Sequence, residues 1–263
     1  TVDGSLATGG AVAVMCMLNG ANTYVALILA FLAGMLAGLV TGLFHTALGI
    51  PPILAGILTQ LGLYSINMRI MGKANQAISV MQYDVLVSLR YIPHACLLTT
   101  GFCIVIIALL YWFFGTEIGA SVRATGCNPN MARAQGINTN ATKVLGLVIS
   151  NGLVGLAGAL YAQYQGSADI NMGRGAIVIG LAAVIIGEVV FGKISQNFGF
   201  KLFSVAFGAI IYYLVLQVVL WMGLNSNDLK LLSALVVAVF LAIPYMKGKY
   251  FSKPVKRGGA PRA

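Results

Sequence analysis

The chain is 263 residues long, 59% hydrophobic and only 8% charged, with a mean hydropathy of +0.90 and a formal net charge of +10. A water-soluble domain carries about 25% charged residues, and a chain this apolar lacks the polar surface to face water. The composition excludes a soluble globule and predicts one integral transmembrane domain over 1–246, with a basic tail over 247–263.

Apolar runs of about 20 residues can cross a bilayer as helices, and eight are expected here. The first, 5–19, is short and glycine-rich. The second, 22–44, carries Gly34, Gly38 and Gly42 on one face, a pattern that lets helix backbones approach closely in lipid. The third, 50–68, opens on Pro51 and Pro52, which suit a first helical turn where a missing N–H costs nothing. The fourth, 94–114, is followed by a polar segment over 115–141. The fifth, 142–163, has a tight small-residue stripe of Gly152, Gly155, Gly158 and Ala159. After a short polar break come 174–191 (again short), 202–222 and 230–246. The fold class is all-α, a polytopic membrane helix bundle with broken helices.

Orientation follows from Lys and Arg. The tail carries Lys247, Lys249, Lys253, Lys256, Arg257 and Arg262, which places the C-terminus in the cytoplasm. Counting spans backwards puts the 192–201 loop (Lys193, Lys201) and the 115–141 loop (Arg123, Arg133, with Lys143 at its edge) on the same side. Arg69, Lys73, Arg90, Arg174 and Lys230 fall outside or near outer helix ends. The net charge therefore needs no nucleic acid; it is largely a tail facing anionic lipid, worth about 1 kcal/mol per basic residue.

A weak repeat relates the Asp3-Gly-Ser-Leu-Ala-Thr-Gly-Gly-Ala-Val segment to Asp169-Ile-Asn-Met-Gly-Arg-Gly-Ala-Ile-Val. An odd number of spans separates the two starts, so the copies point opposite ways, as in the inverted repeats of transporters. A span precedes the second copy and none precedes the first, so a further N-terminal helix is expected upstream of Thr1. Both segments hold too many Gly and polar residues for plain lipid-facing helices, and irregular backbone at membrane depth is tolerated only where protein or a wet cavity satisfies it. Asp3, Ser5, Thr8, Asp169, Asn171 and Arg174 are translocation-path candidates; the simpler reading leaves Asp169 and Arg174 in a wet external turn. Of the other polar residues in the spans, Gln60, Tyr64, Asn67, Asn151, Gln163 and Gln217, an inward face is expected, and Asn67 joins the path candidates. Glu188, at a span end, could pair with Lys193. No deep binding pocket is expected.

No catalytic or metal-ligating constellation is present. His45 and His94 have no evident acid or nucleophile partner, and Cys16, Cys96, Cys103 and Cys127 form no CxxC spacing. There is no GxxxxGK[ST] phosphate loop, so active transport would draw its energy from another chain. The polar loop is the candidate socket for that chain, since loops beyond about 12–15 residues usually carry a role. Residues 118–134 are expected to form a short amphipathic helix broken at Asn128-Pro129, with Asn128 capping the restart and Arg123 and Arg133 flanking it. The alternative is a stand-alone secondary transporter or facilitator of a small organic solute; the lack of a chain of intramembrane carboxylates weighs against a proton-coupled one.

The run from Arg123 through Asn138 (RATGCNPNMARAQGIN) and the stretch Ser150-Asn-Gly-Leu-Val-Gly-Leu-Ala-Gly-Ala-Leu resemble the permease subunits of bacterial ABC importers, in the branched-chain amino acid and ribose permease superfamily. The first residues from Thr1, the run Tyr64-Ser-Ile-Asn-Met-Arg-Ile-Met-Gly-Lys-Ala-Asn and Ala168-Asp-Ile-Asn-Met-Gly are similar to tryptophan/tyrosine importer permeases. The resemblance covers nearly the whole chain. It implies a bacterial plasma-membrane protein working as a permease dimer with a second copy of the chain, two cytoplasmic ATPase subunits and an extracytoplasmic substrate-binding protein. ATP and magnesium would then sit on the ATPase, with no cofactor on this chain and no metal. It implies a coupling helix within 118–136, hence an ATPase contact at Arg123, Thr125, Gly126, Asn128, Pro129, Met131, Arg133 and Gly136. It also implies a first helix upstream, and an aromatic amino acid as substrate. The aromatic residues Tyr64, Trp112, Tyr161, Tyr164 and Trp221 read more simply as an interfacial belt. The sequence departs from the family at Cys127, where an acid is common, so a polar ATPase contact is not expected there.

Overall fold

The computed structural model describes residues 1–79, 83, 85–191, 197–221, 231, 234, 235 and 238. The expected basic tail, the eighth span over 230–246 and the Lys193 partner proposed for Glu188 lie outside the described residues, apart from isolated positions in that span. The chain divides into two compact units, Thr1–Ile177 and Val178–Ala263, within the 1–246 segment read from sequence as one domain and its tail.

The first unit holds α1 (Val2–Leu18), α2 (Thr23–Thr46), α3 (Pro52–Met71), strand β1 (Asn75–Ala77), α4 (Ile92–Gly115), α5 (Glu117–Cys127), α6 (Pro129–Ala134), α7 (Thr139–Gln165) and strand β2 (Ser167–Asp169). The start of α8 (Ala176–Phe191) also belongs to it. Among the described residues, five helices are long and apolar enough to cross a membrane: α2, α3, the 3₁₀-preceded α4 (Leu89–Gly115), α7 and α9 (Phe198–Trp221). The helices α1 and α8 are apolar but shorter. The first seven expected spans each correspond to one of these helices, with ends shifted by a few residues.

Lipid offers no hydrophobic force between helices, so the core is built from backbones in close contact. The pair α2 and α7 is the most extensive. It runs antiparallel: Gly34 faces Asn151, Gly38 faces Leu147, and Gly42 faces Val144. A Cβ at Gly155 would stand 2.6 Å from the Ala30 carbonyl oxygen, and one at Gly152 would stand 2.7 Å from Met35 Cγ. On the adjoining side of α7, Gly155 meets Gly9 and Gly158 meets the Leu6 carbonyl, which seats α1. Ala7, Ala11, Ala13, Val14 and Met17 of α1 are buried as well. The helix α4 is apolar all round and buries only Ala95; Leu97, Ile104 and Trp112 are exposed, as a lipid-facing helix requires. Tyr64, Tyr161, Tyr164 and Trp221 are exposed too, in keeping with an interfacial belt.

Polar links also tie the helices of the first unit. Ser5 Oγ donates to Asn151 Oδ1 at 2.8 Å, and Asn151 Nδ2 donates to the Leu147 carbonyl at 2.9 Å. The Thr41 and Thr59 hydroxyls lie 3.0 Å apart and tie α2 to α3. The inward face expected of the intramembrane amides holds for Asn67, Asn151 and Gln163, which are buried, and not for Gln217, which is exposed on α9.

One element departs from the all-α expectation. β1 and β2 pair antiparallel, Asn75 with Asp169, Gln76 with Ala168 and Ala77 with Ser167. Hydrogen bonds from Ile78 N to the Gly166 carbonyl (2.8 Å) and from Ile170 N to the Ala74 carbonyl (3.1 Å) extend the ribbon. Three-residue strands are too short to show a period of two, and their pairing is long-range, so sequence pattern could not announce them. The ribbon joins the segments after α3 and α7 at the α7 end far from α5 and α6; a helix of 27 residues separates the two ends by about 40 Å.

In the second unit, the rest of α8 packs on α9. Gly187 meets the Ser204 carbonyl and Gly208 meets the Ala183 carbonyl. Ala182, Ile186 and Tyr212 form its buried centre.

Candidate functional site

Gln60, Tyr64 and Asn67 fall at i, i+4 and i+7 on α3 and so share one helix face. Opposite them stand Asp3, Gly4 and Ala7 of α1, and the turn after β2 brings Ile170, Asn171 and Arg174 to the same space. These residues enclose a cavity of about 120 Å³. Gln60 lies about 12 Å and Asn67 about 22 Å from the start of a helix of about 30 Å, so the cavity runs along α3 from near its middle toward its ribbon end. Its lining is half polar in a bundle that is otherwise nearly all apolar, and it is a small cavity where sequence led us to expect no deep pocket.

Asp3 is held firmly. Its Oδ2 accepts from Gly175 N and its Oδ1 from Ile177 N, both at 3.1 Å. These are N–H groups at the start of α8, which have no partner within their own helix, and a carboxylate there also meets the positive end of the helix dipole. Gly173 packs directly on the Asp3 carbonyl, with no space for a Cβ. The two Asp-led segments that resemble each other in sequence are thus in contact, one capping the helix that follows the other. Asn67 is in the opposite condition: it is 1% exposed, and its Oδ1 has no hydrogen-bond partner.

Of the seven path candidates, the cavity gathers Asp3, Asn67, Asn171 and Arg174. Ser5 is spent on Asn151, and Thr8 Oγ1 donates to the Gly4 carbonyl at 2.9 Å. Asp169 Oδ1 accepts from Asn171 N at 2.6 Å and fixes the turn that carries Asn171 and Arg174. Gln60 and Tyr64 were not read from sequence as path residues. Their spacing with Asn67 was the available signal, and three polar side chains on one face of an apolar helix would have found the cavity wall.

At the far end of α7 the polar loop folds into two short helices. Thr116 Oγ1 accepts from Gly119 N at 3.3 Å and caps α5. Asn128 Oδ1 accepts from Asn130 N and Met131 N, both at 3.1 Å, and caps α6 at Pro129, as its sequence predicts. Asn138 caps α7 in the same manner. Thr125 is buried and its hydroxyl lies 3.0 Å from that of Thr142, so it fastens α5 to α7. Ala132 is fully buried, and Arg133 Nη2 donates to Thr139 Oγ1 at 3.3 Å. Arg123, Gly126, Asn128, Pro129, Met131, Arg133 and Gly136 are exposed. Met131 is a large apolar side chain, 49% exposed on the outer face of α6. A helix of six residues cannot hold itself together in isolation, so its cap matters. Asn128→Ala is expected to cost about 1 kcal/mol and to speed amide exchange at Asn130 and Met131 while leaving α7 protected, as hydrogen-exchange mass spectrometry would read.

Residues 2–244 match the family described as branched-chain amino acid transport system / permease component. The chain belongs to that family. It is 38% identical to the tyrosine transport system permease protein of Clostridioides difficile (strain R20291), over 92% of this chain and 80% of that protein. It is 24% identical to the fructose import permease protein FruF of Bifidobacterium longum (strain NCC 2705), over 100% of this chain and 74% of the relative. With the autoinducer 2 import system permease protein LsrC of Escherichia coli (strain K12 / DH10B) it shares 28% identity, over 71% of this chain and 54% of the relative. No solved structure matches the chain. The chain is therefore a multi-pass helical membrane permease of the ABC-transporter type for small solutes, and these relatives are permease components of transporters rather than catalytic enzymes.

Proposed function

We propose that the chain is the membrane-spanning half of an ABC importer that carries a small solute, an amino acid of the tyrosine or tryptophan kind, through a path at the ribbon-side cavity. The observation that carries this reading is the division of polar features between the two ends of α7: capped, exposed helices α5 and α6 at one end, the ribbon and polar cavity at the other. In this reading α5 and α6 are the coupling element, docked on a cytoplasmic ATPase that binds ATP and magnesium. Arg123, Gly126, Asn128, Pro129, Met131, Arg133 and Gly136 face it, with Thr125 transmitting its movement to α7 through Thr142. An extracytoplasmic binding protein docks over the 69–93 and 164–173 segments, which β1 and β2 hold side by side. Two copies form the importer in the bacterial plasma membrane, with the C-terminus in the cytoplasm and the Asp3 and Asp169 segments as the matching parts of an inverted repeat. Alternating access follows when ATP-driven closure tilts α7 and its glycine-packed partners. The amino-acid substrate is favoured by the 38% identity to a tyrosine transport permease.

The test is co-purification with the co-expressed candidate ATPase after replacing 126–132 by a Gly/Ser linker. Loss of the ATPase is expected, with the permease still monodisperse. Stoichiometric ATPase on the linker variant removes the docking assignment, and uphill uptake by the purified permease alone removes the importer reading altogether.

A further inference from the structure

The Asn67 carbonyl oxygen sets a chemical problem that the fold itself leaves unsolved. A buried acceptor without a donor costs about 1–3 kcal/mol, yet Asn67 is 1% exposed, its Oδ1 has no partner, and the residue belongs to the wall of the cavity. The cavity's other deep acceptor is the Asp3 carboxylate. Its two oxygens receive one backbone N–H each, and a carboxylate has about four lone-pair sites, so capacity remains on both. Gln60 and Tyr64 add a side-chain amide and a phenol on the same wall. This is an acceptor-rich recess beside a fixed negative charge, and it calls for a compact cation with several hydrogens. A primary ammonium, with three donors and no acceptor, meets that description. Arg174 lines the same cavity but is exposed, and its guanidinium has no ion-pair partner among the described residues. A guanidinium fork matches a carboxylate. Asn171, next to it, offers a further amide.

We propose that this cavity is a binding site for the ammonium–carboxylate head of an α-amino acid, with the ammonium between Asn67 and Asp3 and the carboxylate at Arg174. The volume sets what the site reads. At about 120 Å³ the recess is small, and its polar lining is matched to an ammonium, an α-carbon and a carboxylate rather than to a phenol or indole ring. The side chain stays outside the recess, so this site accepts amino acids as a class and does not tell one side chain from another. Selection between side chains falls to whatever delivers the substrate. The inference rests on the reading of the protein as a solute permease and adds to it the chemistry recognised.

The experiment uses the full chain in lipid nanodiscs and three probes that isolate the head group: L-alanine, ethylamine (no carboxylate) and propionate (no ammonium), each at millimolar concentration and followed by saturation-transfer NMR. Alanine is expected to bind about tenfold more tightly than either fragment, the ratio one charge-assisted hydrogen bond supplies. Asn67→Leu satisfies no donor and should weaken alanine about tenfold. Asn67→Asp keeps an acceptor and should retain it, which guards against a leucine variant that fails to fold. Arg174→Gln should bring alanine down to the level of ethylamine. Three outcomes overturn the proposal: no alanine signal in the parent protein, which leaves a water-filled recess; equal signals for all three probes; or an Asn67→Leu response equal to that of the parent. ATPase co-purification reads the other end of α7. In the parent protein, absent alanine binding with the ATPase still co-purifying defeats only the head-group site, and alanine binding without a co-purifying ATPase defeats only the docking assignment.

Discussion

Replacing Gly9 by leucine is expected to separate α1 from α7 and leave the protein unable to assemble its first unit. A Cβ at Gly9 would overlap the backbone carbonyl of Gly155, and backbone cannot rotate away as a side-chain tip can. Overpacking a tight core costs about 1–3 kcal/mol and occasionally more; a backbone-on-backbone collision belongs at the upper end, about 3 kcal/mol or more. Ser5 and its hydrogen bond to buried Asn151 lie one turn away on the same helix, so displacing α1 also strips that donor from the amide. The expected readout is a collapse of the monodisperse peak in fluorescence-detected size exclusion. Gly62→Ala is the matched control. It sits inside α3 with nothing within 4 Å of a new Cβ, so alanine there should hold or raise thermal stability, alanine being favoured over glycine in a helix by about 1 kcal/mol. Equal behaviour of Gly9→Leu and Gly62→Ala would show that the close contact does not hold the bundle.

The same contacts explain what was legible in the sequence. Helix positions were readable because bilayer thickness sets a length and lipid demands apolar surface, both one-dimensional properties; 22–44 became Thr23–Thr46 and 202–222 became Phe198–Trp221. Glycine faces were readable for a related reason: where burial of apolar area drives nothing, small residues at i, i+4 spacing are what remains to specify contact, and Gly34, Gly38 and Gly42 do line the α7 interface. The break in the polar loop was legible at Asn128-Pro129 because capping is local, a side chain meeting amides two and three residues on. Thr125, one of the loop positions expected at the partner contact, turns inward to Thr142, and one hydroxyl in an amphipathic helix does not reveal which face it occupies.

What sequence could not supply is pairing between distant residues. Nothing near Asn75 announces Asp169, and nothing near Asn67 announces that the facing wall is Asp3. The likeness of the two Asp-led segments pointed to both as special, but not to their being in contact. Nor could the sequence separate a carboxylate that serves a helix start from one that faces a solute. Asp3 accepts from Gly175 and Ile177 at the start of α8 and also lines the cavity.

That double engagement makes Asp3→Ala the second substitution with a large expected effect. Alanine leaves the Gly175 and Ile177 N–H groups without an acceptor at the start of α8, and each hydrogen bond to a charged group is worth about 1.5–3 kcal/mol. With about 2 kcal/mol lost at each amide, exchange of Gly175 and Ile177 should quicken roughly thirtyfold, while amides in the middle of α7 stay as slow as before. Asp3→Asn is expected to fall between, because its one carbonyl oxygen can accept from one amide but brings no charge to the helix dipole. Because the 170–174 turn also carries Asn171 and Arg174, loosening it should blur the cavity, and uptake by the reconstituted importer should fall with exchange protection across the series aspartate, asparagine, alanine. Unchanged exchange at Gly175 and Ile177 in Asp3→Ala would mean that other contacts, such as Gly173 on the Asp3 backbone, already hold the turn. Any loss of uptake would then trace to the vanished charge in the cavity and not to the cap.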